Sequence, residues 1–222
     1  MGTNFGLTLN LNPIYKNINA FVLAGGKSIR MGRDKAFLRI NGRLFIDLII
    51  EELSILFKNI YVVGKHYHHP SLKDSTLDIV KNTGPIGGIL TALTMTDSEI
   101  NFFTGLDYPF IDWKVIKAFI EISKDDNFTY QAYVPKLDDG IHPLFAIYKR
   151  DILDSVKECI SKREYRVRCI YQSVKTNYIN ILIKVPQYSD NLNDRNVKKC
   201  FYNLNSLEDY KRIFESKKTL NF

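Results

Sequence analysis

Short apolar runs alternate along the chain with longer segments in which apolar residues recur at helical spacing. The short runs predict strands, at residues 21–23, 60–63, 77–80, 102–106, 130–134, 144–148 and 178–184. The longer segments predict helices, at residues 45–57, 89–95, 113–122, 151–160 and 207–214. Strands that alternate with helices indicate an α/β fold, a doubly wound and mostly parallel sheet in a three-layer α/β/α arrangement. Ligands of such a sheet bind beyond the carboxyl ends of its strands.

The length of 222 residues suits one domain with a substantial core, and the sequence contains no internal repeat or Pro/Ser-rich linker. Its first residues are rich in Asn and lack the cationic start and apolar core of a signal peptide. No apolar stretch approaches the roughly 20 residues that span a membrane. We therefore expect a disordered extension over residues 1–18, a single domain over residues 19–222, and no membrane partner.

The formal net charge is +7, from 31 Lys and Arg against 24 Asp and Glu, and such a balance favours polyanionic partners. These basic residues are scattered and form no stripe interleaved with aromatics, so we expect phosphorylated small molecules rather than nucleic acid. The three cysteines, Cys159, Cys169 and Cys200, show no CxxC spacing. That pattern is typical of reduced thiols in a cytoplasmic protein rather than of disulfides or zinc sites.

Glycines and cations come together in the loop that follows the first predicted strand, where residues 20–35 read AFVLAGGKSIRMGRDK. The paired glycines Gly25 and Gly26 let backbone amides converge on an anion, and Arg30 and Lys35 can neutralise phosphate oxygens. The segment is not a P-loop, because Phe21 stands where that motif needs glycine. Adjacent glycines also do not fit the spaced pattern of dinucleotide-binding folds. The loop therefore predicts a triphosphate site.

Two further segments place candidate chemistry at the same edge of the predicted sheet. Asp107 follows the strand at 102–106 and precedes Pro109, which puts a carboxylate where a hard divalent cation needs an oxygen ligand. Asp107 could alternatively be the N-cap of the next helix. The Gly-Pro-Ile-Gly-Gly turn that begins at Gly84 suits either close approach to a ligand or helix capping without a ligand.

Taken in order, these segments resemble the nucleotidyltransferases that activate sugars, alditols and cofactors with NTP, and most of all the molybdenum cofactor guanylyltransferases. The run LAGGKSIRMGRDKA at residues 23–36 is similar to their signature. It is followed by counterparts of their Gly-Pro turn, Asp-x-Pro, His-Pro at His142, basic stretch at 163–168 and Asn-rich segment at 201–206. The resemblance extends from about Asn19 to the terminal helix and implies a Rossmann-like nucleotidyltransferase fold.

The resemblance implies an enzyme that transfers GMP from Mg²⁺-bound GTP to the phosphate of the molybdopterin cofactor and releases pyrophosphate. Lys35 and Arg30 would hold the leaving phosphates, and Asp107 would hold Mg²⁺ as the metal ligand. The implied nucleotide-binding residues are Leu23, Ala24, Gly25, Gly26, Lys35, Asn82, Gly84, Pro85 and Asp107. The implied acceptor-binding residues are Arg166, Asn203 and Asn205. Transient contact with molybdoenzyme maturation proteins is also implied.

Two positions depart from the family pattern. The family has an Asp a few residues before its Gly-Pro turn, where the nearest candidate here is Asn82 and Asp78 lies further upstream. Its Asn after the second core strand is displaced, since that strand runs into Gly64 and Lys65. A related enzyme that uses CTP or a sugar-phosphate acceptor therefore stays open, as does a non-catalytic nucleotide-binding regulator. We expect His142 to be structural, because a phosphate nucleophile needs no general base near neutral pH.

Overall fold

The computed structural model describes residues 13–25, 34–188, 192–204 and 206–211, which form a mixed central sheet covered by helices. The sheet strands are β1 (Tyr15–Leu23), β4 (Phe57–Val63), β5 (Asp74–Thr76), β6 (Ile100–Gly105), β7 (Ala132–Leu137), β8 (Gly140–Ile141), β9 (Phe145–Lys149) and β10 (Thr176–Asn180). A separate small hairpin joins β2 (Arg39–Ile40) to β3 (Arg43–Leu44).

The helices are α1 (Phe45–Ser54), α2 (Pro85–Met95), α3 (Trp113–Lys124), α4 (Leu153–Ser161), α5 (Ile181–Lys184), α6 (Asp194–Cys200) and α7 (Leu207–Tyr210). Short 3-10 helices cover Lys35–Phe37, Arg150–Ile152, Val167–Gln172 and Val185–Tyr188.

The strand order is β10-β7-β9-β6-β1-β4-β5, with β8 paired to β7. The central strand β1 runs parallel to both β4 and β6, so the carboxyl ends of all three lie at one edge of the sheet. Strand β9 runs antiparallel to its neighbours β6 and β7, which brings its amino end to that same edge. The predicted mostly parallel sheet is confirmed, with β9 and the short strand β8 as the reversed strands among those described.

Two hydrophobic clusters lie on opposite faces of the sheet, because alternate residues of a strand point to opposite sides. Ala20 and Val22 of β1 belong to the cluster that includes residues of α1 and α3. Phe21 and Leu23 belong to the cluster that includes residues of α2 and α4. This arrangement gives the predicted three-layer α/β/α fold.

Two predicted strands differ from the observed elements. The strand predicted at 77–80 is wrong, since Leu77 and Ile79 are 50% and 57% exposed and the edge strand is β5 instead. Polar β5 is specified by its register against β4, which hydropathy along the chain does not show. The strand predicted at 178–184 ends at Asn180, where the chain turns into α5 and places Ile181 and Val185 in the core.

The first strand begins earlier than the predicted domain boundary at residue 19. Strand β1 starts at Tyr15, and both Tyr15 and Ile18 are buried in the core, so residues 15–18 belong to the domain rather than to an extension. Residues 1–12, for which disorder was predicted, lie outside the described residues.

The prediction of free thiols is wrong for two of the three cysteines. Cys159 of α4 and Cys169 of the following 3-10 helix form a disulfide with a Cα–Cα distance of 6.1 Å, whereas Cys200 is free and buried. The turn between the two elements folds back, so cysteines ten residues apart meet without any CxxC spacing. Within the described residues, no helix combines the length and apolarity needed to cross a membrane.

Candidate active site

The carboxyl ends of β1 and β6 and the start of α2 line one cleft. The residues that line it are Leu23, Ala24, Gly25, Asp34, Lys35, Gly84, Pro85, Gly105, Leu106, Asp107 and Leu144. Seven of the nine residues predicted to bind nucleotide are thus present among these lining residues. The structure therefore brings together the glycine-rich loop, the Gly-Pro turn and the Asp-x-Pro turn, as the order of the strands predicts.

Lys35 and Asp107 form an ion pair at the floor of this cleft. Lys35 is the first residue of a 3-10 helix whose N-cap is Asp34, and Asp34 Oδ1 accepts the Ala36 N–H at 3.1 Å. Lys35 Nζ also donates to the Leu204 carbonyl at 2.7 Å, and the Leu204 N–H donates to the Asp107 carbonyl at 2.7 Å. Three segments that are distant in sequence therefore hold the cation and the carboxylate together.

Gly25 and Gly64 approach so closely that neither position has room for a side chain. A Cβ on Gly64 would lie 2.3 Å from Gly25 Cα, and Gly64 has a φ of +92°, which also favours glycine. The second departure from the family pattern therefore creates a close contact between the end of β4 and the start of the glycine-rich loop.

Asp78 presents a carboxylate to the same loop. A Cβ on Gly25 would lie 2.6 Å from Asp78 Oδ2, and one on Gly88 would lie 3.6 Å from Oδ1. Asp78 Oδ1 is buried and accepts no hydrogen bond within the described residues. Burial raises the pKa of this carboxyl above its ordinary value. A buried acceptor without a partner fits a ligand that supplies N–H or O–H donors.

Asp78, the second candidate from the sequence, therefore lies against Gly25, although it is not itself among the residues that line the cleft. Asn82 is exposed, has a φ of +62° and does not line the cleft. Gly84, with a φ of +65°, precedes Pro85 at the start of α2, and both line the cleft. The turn therefore begins the helix and borders the cleft at once, so the two alternatives for it are compatible.

His142 is buried against Tyr108, the residue that follows Asp107. Its Nε2 lies 3.1 Å from Asp139 Oδ1, its Nδ1 lies 3.4 Å from the Tyr108 hydroxyl, and its ring packs 5.0 Å from the ring of Phe201. These contacts satisfy both ring nitrogens within the protein and agree with a structural role.

The predicted acceptor residues are only partly joined to the cleft. Asn203 precedes Leu204, which contacts both Lys35 and Asp107, and Asn203 Oδ1 is buried without a partner among the described residues. Arg166 is exposed at the N-cap of the 3-10 helix Val167–Gln172 and does not line the cleft. Gly26, Arg30 and Asn205 lie outside the described residues.

Asp107 is the carboxylate that fits a cation shared with phosphate groups. Mg²⁺ is usually held by one or two carboxylates together with waters and substrate phosphates rather than by a full protein cage. Asp107 supplies one such carboxylate, and it lines the cleft together with Lys35. The donor set therefore fits a metal that arrives with a nucleotide.

Residues 20–177, more than half of the chain, match the family model described as the MobA-like NTP transferase domain. The chain belongs to the MobA-like NTP transferase family. A relative from Pyrococcus furiosus, named "Probable molybdenum cofactor guanylyltransferase", is 32% identical over 203 residues, covering 86% of this chain and 94% of the relative. A relative of the same name from Clostridium perfringens is 30% identical over 205 residues, covering 90% and 97% of the two chains.

Solved structures agree with this assignment of the fold. Molybdopterin-guanine dinucleotide biosynthesis protein A from Archaeoglobus fulgidus superposes with a TM-score of 0.72 at 21% identity, over 89% of this chain and 97% of that one. A protein from Aquifex aeolicus superposes with a TM-score of 0.59 at 28% identity, over 72% and 85% of the two chains. The predicted nucleotidyltransferase fold is confirmed.

Proposed function

We propose that this protein transfers GMP from Mg²⁺-bound GTP to the phosphate of the molybdopterin cofactor, releasing pyrophosphate and forming a guanine dinucleotide cofactor. The observation that carries the proposal is the pairing of Lys35 with Asp107 in one cleft with Gly25. Relatives that match over most of the chain are named molybdenum cofactor guanylyltransferases, and these names support the choice of GTP and molybdenum cofactor as substrates.

The cation and the carboxylate neutralise each other in the free protein and would separate when nucleotide binds. Lys35 would then contact the leaving phosphates, and Asp107 would ligate Mg²⁺. The bound metal would offset the phosphate charge that otherwise repels an anionic acceptor. Gly25 lines the cleft, so the backbone at the start of the glycine-rich loop would lie beside the phosphate chain.

The chemical step is a substitution at phosphorus. An oxygen of the acceptor phosphate forms a bond to the α-phosphorus of GTP, and the bond from that phosphorus to the β-phosphate oxygen breaks, so pyrophosphate leaves with its electron pair. An ionised phosphate needs no general base, so the protein contributes positioning and charge neutralisation. Lys35 would stabilise charge on the leaving group, and Asn203, which precedes the Leu204 contact with Asp107, would bind the acceptor.

Asp78 lies against Gly25, a residue that lines the cleft, and carries an acceptor oxygen without a partner among the described residues. Its buried Oδ1 would accept a hydrogen bond from an N–H or O–H group of the nucleotide. A nucleotide that leaves this oxygen unpaired loses about 1–3 kcal/mol of binding free energy, so the carboxylate contributes to discrimination between nucleotides.

Pyrophosphate release from each NTP in the presence of Mg²⁺ tests this function. We expect release with GTP and the molybdopterin cofactor, and little release with CTP, ATP or UTP or with a sugar phosphate as acceptor. Preferred use of CTP or of a sugar phosphate would contradict the substrate assignment while leaving the reaction class intact. Nucleotide binding without turnover under every combination would indicate a regulator. Contact with maturation proteins and a cytoplasmic location stay predictions.

A further inference from the structure

The turn at the end of β4 contacts the glycine-rich loop at both of its described ends. Gly64 packs on Gly25, which precedes the loop, and Lys65 pairs with Asp34, which follows it. The turn itself is fixed on the sheet, because the N–H groups of Gly64 and Lys65 both donate to the Thr76 carbonyl, at 2.8 and 3.1 Å. One turn at the edge of the sheet therefore contacts both Gly25 and Asp34, the described residues that flank the loop.

The side chain of Lys65 is directed at Asp34 rather than at the cleft. Its ammonium forms an ion pair with Asp34 Oδ2 and lies 4.5 Å from the centre of the Phe37 ring. Only 16% of the Lys65 side chain is exposed, and Lys65 is absent from the residues that line the cleft. Any effect of Lys65 on the nucleotide would therefore pass through its neighbour.

Asp34 uses its two carboxylate oxygens for different purposes. Oδ1 caps the 3-10 helix through the Ala36 N–H, and Oδ2 receives the ammonium of Lys65. Lys35 is the first residue of that helix, so the orientation of Asp34 determines where the Lys35 side chain begins. We propose that Lys65 is a positioning residue, which holds Asp34 so that Lys35 is presented to the cleft.

Charge gives a second reason for this arrangement. Asp34 lines the cleft, and an unpaired carboxylate there would repel a triphosphate. The Lys65 ammonium neutralises that carboxylate, although Lys65 itself is not one of the residues that line the cleft. The expected effect of Lys65 on the rate of GMP transfer rests on the proposed function. Its expected effect on the position of the Lys35 side chain does not.

The test compares Lys65→Met with Lys65→Arg and with Lys58→Met. Methionine keeps an unbranched apolar chain over Phe37 but removes the charge, arginine keeps the charge, and Lys58 is an exposed lysine on the same strand β4. Since a misplacement of about 1 Å can cost roughly 10²-fold in rate, we expect Lys65→Met to lower kcat/KM for Mg²⁺-bound GTP by about tenfold. Lys65→Arg should restore most of this loss, and Lys58→Met should behave as the wild type.

A double variant distinguishes positioning from direct contact. If Lys65 acts through Asp34, Lys65→Met combined with Asp34→Asn should lose no more activity than Asp34→Asn alone. Losses that multiply would show that Lys65 acts on the nucleotide independently, and they would overturn the inference. Equal kcat/KM for Lys65→Met and Lys58→Met would overturn it as well.

Labelling of Lys35 by an amine-reactive acylating reagent, measured by mass spectrometry without nucleotide, gives a readout that does not need turnover. We expect Lys35 to be labelled at a different rate in Lys65→Met than in the wild type and Lys58→Met, and Asp34→Asn should reproduce the change if Lys65→Met does not fold. Unchanged labelling would overturn the inference. A wild type that releases no pyrophosphate with any NTP would instead contradict the proposed function alone.

Discussion

Replacement of Asp78 by asparagine should stabilise the free protein and weaken nucleotide binding. The native carboxylate is partly buried beside Gly25 and Gly88, and its Oδ1 has no hydrogen-bond partner within the described residues. Burial raises its pKa above the unfolded value of about 3.9. A carboxyl group whose pKa is higher in the folded protein than in the unfolded one favours folding when it is protonated. Its contribution to the free energy of unfolding is therefore complete below the unfolded pKa and is lost as the pH rises through the folded pKa. At neutral pH the ionised carboxylate therefore lowers the free energy of unfolding.

The magnitude follows from what asparagine removes and what it keeps. An unsatisfied buried polar group costs about 1–3 kcal/mol and a charged one more, and asparagine keeps the polar oxygen while it removes the charge. We therefore expect a gain of about 1 kcal/mol at pH 7, which for a chain of this size raises Tm by roughly 2–4 °C. Loss of a charge-assisted hydrogen bond, worth about 1.5–3 kcal/mol, should weaken binding of Mg²⁺-bound GTP roughly 10- to 100-fold.

Thermal unfolding at pH 7 and at pH 3, together with calorimetric titration of nucleotide, measures both effects. The gain in Tm should shrink toward zero at the lower pH, where Asp78 is protonated in both folded and unfolded protein. Asp74→Asn is a matched control, because Asp74 is an exposed aspartate on the neighbouring strand β5. A Tm lower than that of the wild type at pH 7, or an unchanged affinity for GTP, would refute the reasoning.

Three further changes test other parts of the structure. Lys35→Ala should leave thermal unfolding nearly unchanged and slow pyrophosphate release by about 10²–10³-fold, and wild-type turnover in the folded variant would remove Lys35 from the mechanism. The N-cap of α3 is Asp112 rather than Asp107, so the alternative role for Asp107 is wrong. Asp107→Asn should abolish most Mg²⁺-dependent transfer while nucleotide binding without metal changes little, and near-normal rates across a magnesium titration would indicate that Asp107 does not hold the metal. Reduction of the Cys159–Cys169 disulfide should lower the free energy of unfolding by about 2–3 kcal/mol. A reductant should have no such effect on the Cys159→Ser/Cys169→Ser variant, and a wild type equally insensitive to reductant would show that the bond is absent.

Sequence patterns predicted those elements whose stability is local or whose residues are continuously apolar. The strand before the glycine-rich loop and the strand before Asp107 are buried on both faces near their carboxyl ends, so consecutive apolar residues such as 20–23 and 102–103 indicate their positions. Because parallel strands end at a common edge, the meeting of Gly25, Gly84 and Asp107 could also be expected.

Features that depend on pairing between distant segments could not be predicted in this way. Strand β5 is polar and exists through its register with β4, and the disulfide depends on how the turn after α4 folds back. The choice between Asn82 and Asp78 depended on tertiary contacts, since Asp78 lies against Gly25 whereas Asn82 is exposed. The signal that could have identified Asp78 was its charge, because it is the nearest acid before the Gly-Pro turn.

The contact of Lys35 with the Leu204 carbonyl joins residues 169 positions apart, so it can form only late in the synthesis of the described chain. Strands β1, β4 and β6, which carry the loop and lead into Asp107, all leave the ribosome before the second half of the chain. The central sheet can therefore assemble during translation, whereas the contact of Lys35 can form only after Leu204, one of the last described residues, has been made. A polypeptide that has not yet reached Leu204 would thus contain the strands of the nucleotide cleft but lack the carbonyl that holds Lys35.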